Sequence, residues 1–215
     1  MRNIDYSVYM ITDSEKAGDR KIVDVVMDAV RGGATMVQLR EKDFDSGDFY
    51  RRALATMRLL RKPGIPLIIN DRLDSALAAG AHGVHIGQND IPLPLVRKLM
   101  GPNKIVGVSV HDERDALAAE SGGADYIAVG PVFETDTKPD AGEPVGLEGI
   151  EDIRKVVPRI PCIGIGGINI ENARSVIEAG CRGVAVISAI MDAENPQVAA
   201  QDLLHEVNNA ERKPY

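Results

Sequence analysis

Eight short apolar runs, each closed by a polar or turn-forming residue and most of them followed by a longer stretch of helical spacing, divide the 215-residue chain from end to end. This alternation suits a parallel sheet, because parallel neighbours need a crossover of a dozen or so residues between them. The runs are Val8–Ile11, Met36–Leu39, Leu67–Ile69, Gly83–Ile86, Ile105–Val108, Tyr126–Val129, Cys162–Ile165 and Val184–Ile187. Between them, residues 21–31 put Ile22, Val26, Ala29 and Val30 on one helical face, and residues 48–60 do the same with Phe49, Ala53, Met57 and Leu60. RGGAT, AAGAHG, SGGADY and EAGCRG add a repeat: a glycine ends a helix and a strand follows a few residues later, roughly every 50 residues, or two βα units.

Eight such units can spread as an open doubly wound sheet or close on themselves. The open form prefers fewer strands and a glycine-rich first turn, which this chain lacks, so a closed (β/α)8 barrel is expected, as one domain over residues 1–215. With no Trp and 4% aromatics the core must be aliphatic, as the Val/Ile-rich strands of a sheet buried on both faces require.

A net charge of −7 speaks against nucleic acid or an anionic membrane as partner, since both call for clustered Lys and Arg. Small-molecule substrates are expected instead. Neither a basic start leading into an apolar stretch nor a run of about 18 apolar residues is present, so a soluble cytoplasmic protein is expected. The sequence is compatible with a homo-oligomer. Cys162 and Cys181 stand in apolar surroundings and are expected to be small buried hydrophobes, not a disulfide or metal pair.

In a barrel of this kind chemistry gathers at the C-terminal strand ends. After the second run come Gln38, Leu39, Arg40, Glu41 and Lys42, where alternation points Gln38, Arg40 and Lys42 the same way, either into the mouth or into a surface charge cluster. The third run ends at Asn70 and Asp71, and the fourth leads to Gln88, Asn89 and Asp90. Two carboxylates from adjacent strands repel unless a proton or metal lies between them, and an all-oxygen set suits Mg²⁺; alternatively, each aspartate caps the next helix. Ser109 offers a hydroxyl after the fifth run. The segment 130–146 is long enough for a lid or binding loop and carries Thr135, Asp136, Thr137 and Lys138, although a Pro-rich insert of incidental polarity would look similar. After the last two runs, Gly166, Gly167 and Ser188 fit a backbone phosphate cradle. His82, His85, His111 and His205 are assigned structural or solvated roles, and no Ser/His/Asp or Cys/His set for covalent catalysis is evident.

The segments QLREK, ND, GQND, GVS, GPVFETDTK, GIGGI and VISAI follow successive strands in this order. Together they cover nearly the whole chain, and in them it resembles the thiamine phosphate synthase family. The resemblance implies that Gln38, Leu39, Arg40, Glu41, Lys42, Asn70, Ser109 and Lys138 hold an aminopyrimidine methyl diphosphate, with Arg40, Lys42, Ser109 and Lys138 serving catalysis. It implies that Asp71 and Asp90 bind Mg²⁺, and that Thr135, Asp136, Thr137, Gly167, Ile187 and Ser188 contact a thiazole phosphate. A thiazole tautomerase of the same fold and a non-catalytic phosphate-binding barrel are the alternatives. The tautomerase is disfavoured by the complete pyrimidine-site motifs and by Pro131 at a position where a proton-transferring His would be expected.

Overall fold

The computed structural model describes residues 4–41, 44–138 and 142–212. Eight strands close into a barrel in sequence order: β1 (Val8–Ile11), β2 (Met36–Leu39), β3 (Leu67–Asn70), β4 (Gly83–Ile86), β5 (Ile105–Val110), β6 (Tyr126–Val129), β7 (Cys162–Ile165) and β8 (Gly183–Val186). Every pairing is parallel, and the ring is shut by β1 against β8, with Val8 opposite Val184 and Met10 opposite Val186.

Alternation along each strand sorts the side chains into two cores. The inner one holds Tyr6, Tyr9, Ile11, Met36, Ile68, Ile105, Tyr126, Ile163 and Ala185. The larger outer one lies between the strands and the surrounding helices, with Val8, Met10, Val37, Leu39 and Leu67 facing out toward them. Helix α2 (Ile22–Arg31) buries Ile22, Val25, Val26 and Ala29, while α3 (Ser46–Arg61) buries Phe49, Ala53, Thr56 and Leu60. Cys162 and Cys181 are free, buried and only 3.5 Å apart at their sulfurs; burial pushes the Cys181 thiol pKa up.

Local chemistry sets the element ends. Helix α3 begins earlier than the apolar spacing suggests because the Asp45 carboxylate accepts the Asp48 N–H and caps it. Asp13 caps the short α1 (Ser14–Ala17) in the same way, accepting from Glu15 and Lys16. β5 runs two residues beyond its apolar stretch because Ser109 and Val110 still pair with Ala128 and Val129 of β6. Ser109 therefore belongs to the barrel wall and not to the loop beyond it. β8 starts one residue early, where Gly183 pairs with Ile163, and stops before Ile187, which leaves extended geometry to start α9 (Ser188–Met191).

Three inward positions are glycine because nothing larger fits. A Cβ on Gly83 would lie 2.3 Å from the Ile105 carbonyl oxygen, one on Gly107 would lie 2.0 Å from the Tyr126 ring, and one on Gly183 would lie 1.7 Å from the Tyr6 carbonyl oxygen. Backbone cannot yield as a flexible side chain does, so Gly183→Ala should destabilise the fold by about 3 kcal/mol or more, read as a lower urea midpoint. Gly47→Ala in the first turn of α3, where a Cβ meets nothing closer than 3.4 Å, should leave the midpoint unchanged or raise it.

Candidate active site at the C-terminal ends of the strands

β2 leads into the mouth with its side chains turned alternately. Gln38 is buried inside the barrel and Arg40 stands above it, with only 9% of its surface exposed. Arg40 is fixed on three sides: its Nη1 donates to Asp13 at 2.9 Å, its N–H donates to the Thr12 hydroxyl at 3.1 Å, and its carbonyl accepts from that hydroxyl at 3.3 Å. Leu39 and Glu41 turn the other way. Leu39 belongs to the outer core, and the Glu41 carboxylate is buried against Thr12, Ser14 and Arg52, so only their backbones can face a ligand. Lys42 lies outside the described residues.

Inside the barrel a chain of hydrogen bonds joins five strands. Gln38 Nε2 donates to the Tyr9 hydroxyl at 2.7 Å, which meets the Tyr126 hydroxyl at 2.9 Å. Tyr126 in turn meets His85 Nδ1 at 2.9 Å, and His85 Nε2 meets the Ser109 hydroxyl at 2.9 Å. Burial raises both phenols far above their ordinary range and pushes the imidazole down to about 4, so at neutral pH all three side chains are uncharged. Sequence reasoning gave His85 only a structural part and passed over Tyr9 and Tyr126. The period-2 alternation that turns Gln38 inward would have brought all three into view.

Asp71 and Asp90 come together as the strand order implies. Burial first, and then the charge of Asp90 within hydrogen-bonding reach, push Asp71 up to about 6; Asn70 and the charge of Lys138 pull the other way. Asp71 takes a left-handed backbone (φ 57°), fixed by its N–H to the His85 carbonyl at 2.8 Å and by its carbonyl accepting from Leu73. The Asp90 carboxylate accepts the Gly87 N–H at 2.7 Å. Neither aspartate side chain caps a helix: α4 (Leu73–Ala78) and α5 (Leu93–Met100) start from Arg72 and Pro92 without a side-chain bond. Two mutually repelling carboxylates at a wet mouth form an oxygen-only donor set that fits a divalent cation. Among the described residues no group of three or more His, Cys, Asp or Glu is placed to hold a metal ion.

Beyond β6, the segment starting at Gly130 is pinned at its base. Val132 and Phe133 donate to the carbonyls of Ile165 and Gly166, while Val145 and Gly146 donate back to those of Pro131 and Val132. Lys138 is exposed on this loop, yet close enough for its charge to lower the pKa of both Asp71 and His85. Thr135 and Thr137 are half-buried beside it, the Thr135 hydroxyl accepting the Thr137 N–H at 3.3 Å, and Asp136 points to solvent. Gly167 is needed where it stands: its φ is 65°, and a Cβ there would lie 2.5 Å from the Glu134 carbonyl oxygen. That contact seats the β7 end against the β6 loop, and Ile187 and Ser188 follow from the neighbouring β8.

The mouth therefore combines a fixed arginine, a loop lysine, a carboxylate pair, a buried polar chain and glycine-lined backbone. A family model described as thiamine monophosphate synthase matches residues 8–190. The chain belongs to the thiamine monophosphate synthase family. The thiamine-phosphate synthase of Roseiflexus sp. (strain RS-1) is 50% identical over 196 residues, spanning 91% of this chain and 83% of the relative. That of Clostridium novyi (strain NT) is 45% identical, spanning 94% and 98%. Among solved structures, a thiamine phosphate pyrophosphorylase from Pyrococcus furiosus superimposes with a TM-score of 0.87 at 38% identity, over 95% of this chain and 96% of that one. A 3-hexulose-6-phosphate synthase shares the fold, with a TM-score of 0.72 at 18% identity over 93% and 99% of the two chains. Family and barrel thus agree with what the seven segments imply.

The raised pKa of Asp71 has a definite sign. The folded state binds this proton more tightly than the unfolded chain, so the associated stability is present below about pH 3.8 and is lost as the pH rises through about 6. In metal-free protein, Asp71→Asn should raise the melting temperature above pH 6 and lose that advantage below pH 4. An equal shift at both pH values would remove the repulsion from the account.

Proposed function

We propose that this enzyme is a thiamine-phosphate synthase, a transferase that joins an aminopyrimidine methyl diphosphate to a thiazole phosphate and releases diphosphate. What supports this reading is the family match over residues 8–190 together with the Asp71/Asp90 pair, whose Asp71 feels the charge of Lys138 on the β6 loop. The bond between the pyrimidine methylene and the diphosphate oxygen breaks with its electron pair leaving on the diphosphate. The electron-rich aminopyrimidine carries the resulting cation, and the thiazole nitrogen donates its lone pair to the methylene to form the new C–N bond. No protein nucleophile is needed.

The residues of this chain hold and neutralise. Asp13 aims the Arg40 guanidinium while Thr12 fixes the Arg40 backbone, and Lys138 approaches from the loop; preorganised donors facing the departing charge stabilise the transition state more than the ground state. Lys42 completes this cationic set. Because Asp13 already offsets the charge of Arg40, the net positive charge facing the diphosphate is smaller than a count of cations suggests. Asp71 and Asp90 would hold Mg²⁺, which supplies charge neutralisation at phosphate oxygens when bound. Gln38, Asn70 and Ser109 orient the pyrimidine; Thr135, Thr137, Gly167, Ile187 and Ser188 receive the thiazole phosphate, with Asp136 contributing through its backbone alone.

Mixing the protein with both substrates, with and without Mg²⁺, should give thiamine phosphate and diphosphate one to one and only with the metal. Binding of thiazole phosphate without product would favour a tautomerase or a binding protein instead. Lys138→Ala should reduce kcat by about 100-fold while leaving the melting temperature nearly unchanged, because the side chain is exposed and its task is electrostatic. Unchanged turnover in that variant would take Lys138 out of the mechanism.

A further inference from the structure

The interior chain from Gln38 to Ser109 is directional, and counting protons with Gln38 Nε2 toward Tyr9 gives one of its two senses. Gln38 Nε2 can only donate, so the Tyr9 oxygen accepts from it. Tyr9 and Tyr126 are fully buried, and a buried hydroxyl proton without an acceptor is costly. Were Tyr126 to donate to Tyr9, the Tyr9 proton would be left without a partner in the chain. Tyr9 therefore donates to Tyr126, and Tyr126 donates to His85 Nδ1. The ring proton then sits on Nε2 and is given to the Ser109 oxygen. Two groups are left over, one at each end: the Gln38 carbonyl oxygen, an acceptor, and the Ser109 hydroxyl proton, a donor.

Turning the Gln38 amide over would reverse every bond together. Gln38 would then present a donor and Ser109 only lone pairs. In either direction the two ends carry opposite hydrogen-bonding sense, enforced by three side chains that need not touch a ligand.

We propose that Tyr9, Tyr126 and His85 are positioning residues for heterocycle recognition, forcing Gln38 and Ser109 to present hydrogen-bonding groups of opposite sense, one a donor and the other an acceptor. Such a pair complements a heterocycle that offers an amino group and an unprotonated ring nitrogen. The proposal rests on the synthase reading, in which Gln38 and Ser109 hold the pyrimidine, and adds the residues that dictate how they do so. Gly107 is part of the arrangement, since only a residue without a Cβ leaves room for the Tyr126 ring.

The test is a double-mutant cycle in steady-state kinetics with Tyr126→Phe, Ser109→Ala and the double variant. Tyr126→Phe should lower kcat/KM for the aminopyrimidine diphosphate by about tenfold, the effect of one misdirected buried hydrogen bond. The KM for thiazole phosphate and the inhibition constant of inorganic diphosphate should stay within about twofold, because neither ligand meets the chain. In the Ser109→Ala background the same change should cost nothing further. An equal loss in both backgrounds, a loss spread over all three ligands, or wild-type kinetics would each overturn the proposal. If Tyr126→Phe does not fold, Tyr9→Phe combined with Gln38→Ala is read by the same rule. The wild-type enzyme separates the two levels: without thiamine phosphate formation the synthase reading falls and takes the proposal with it, whereas an active enzyme with an additive cycle removes the proposal alone.

Discussion

The narrow interior of a closed eight-stranded barrel governs the rest of this molecule. Every second residue of every strand competes for that space, and here the competition is settled in favour of three tyrosines and a histidine. Glycines at positions 83, 107 and 183 make the room. Large polar rings in a dry interior oblige their oxygens and nitrogens to find one another, because an unmatched buried polar atom costs about 1–3 kcal/mol. One arrangement of the wall thus generates both the packing below and the hydrogen-bonding groups above.

At the mouth the balance of charge changes from strand to strand. On the β2 side Arg40 is already matched by Asp13, and Arg52 lies beside Glu41, so the charges there are largely spent in holding one another in place. On the β3 and β4 side like charges face each other, and burial, with that repulsion added to it, raises the pKa of Asp71. The first arrangement is rigid and nearly neutral; the second is tense and invites a cation. In the proposed reaction, a polyanionic substrate would meet an oriented guanidinium on one flank and a carboxylate pair in need of positive charge on the other.

The barrel was largely legible in the sequence because period-2 runs, helical stripes and helix-ending glycines all express the same repeat. Seven of the eight strands start and end within one residue of the expected bounds, and the β5 end lies two residues further on because pairing with β6 depends on register and not on hydrophobicity. Gln38, Arg40, Asp71 and Asp90 could be placed at the mouth from strand-end position alone. The orientation of Leu39 and Glu41 was implied by the same alternation, although a contiguous motif groups them with their neighbours. What the sequence hid are partnerships between distant positions: Asp13 with Arg40, and Tyr9 with Tyr126, 117 residues apart. No spacing rule links such residues, since only closure of the ring brings them together.

The base of the β6 loop has a consequence for how such a molecule can change over time. Four backbone bonds tie residues 131–133 to the end of β7 and to residues 145–146, so the intervening segment leaves and rejoins the barrel at a fixed clasp. Barrel geometry is thereby insulated from whatever lies beyond the clasp. Closing a longer loop over a fixed base costs only about 0.6 kcal/mol for each doubling of its length. Insertions and exchanges in that segment can alter what the mouth admits without a redesign of the wall, giving the molecule one exchangeable part on an otherwise tightly constrained frame.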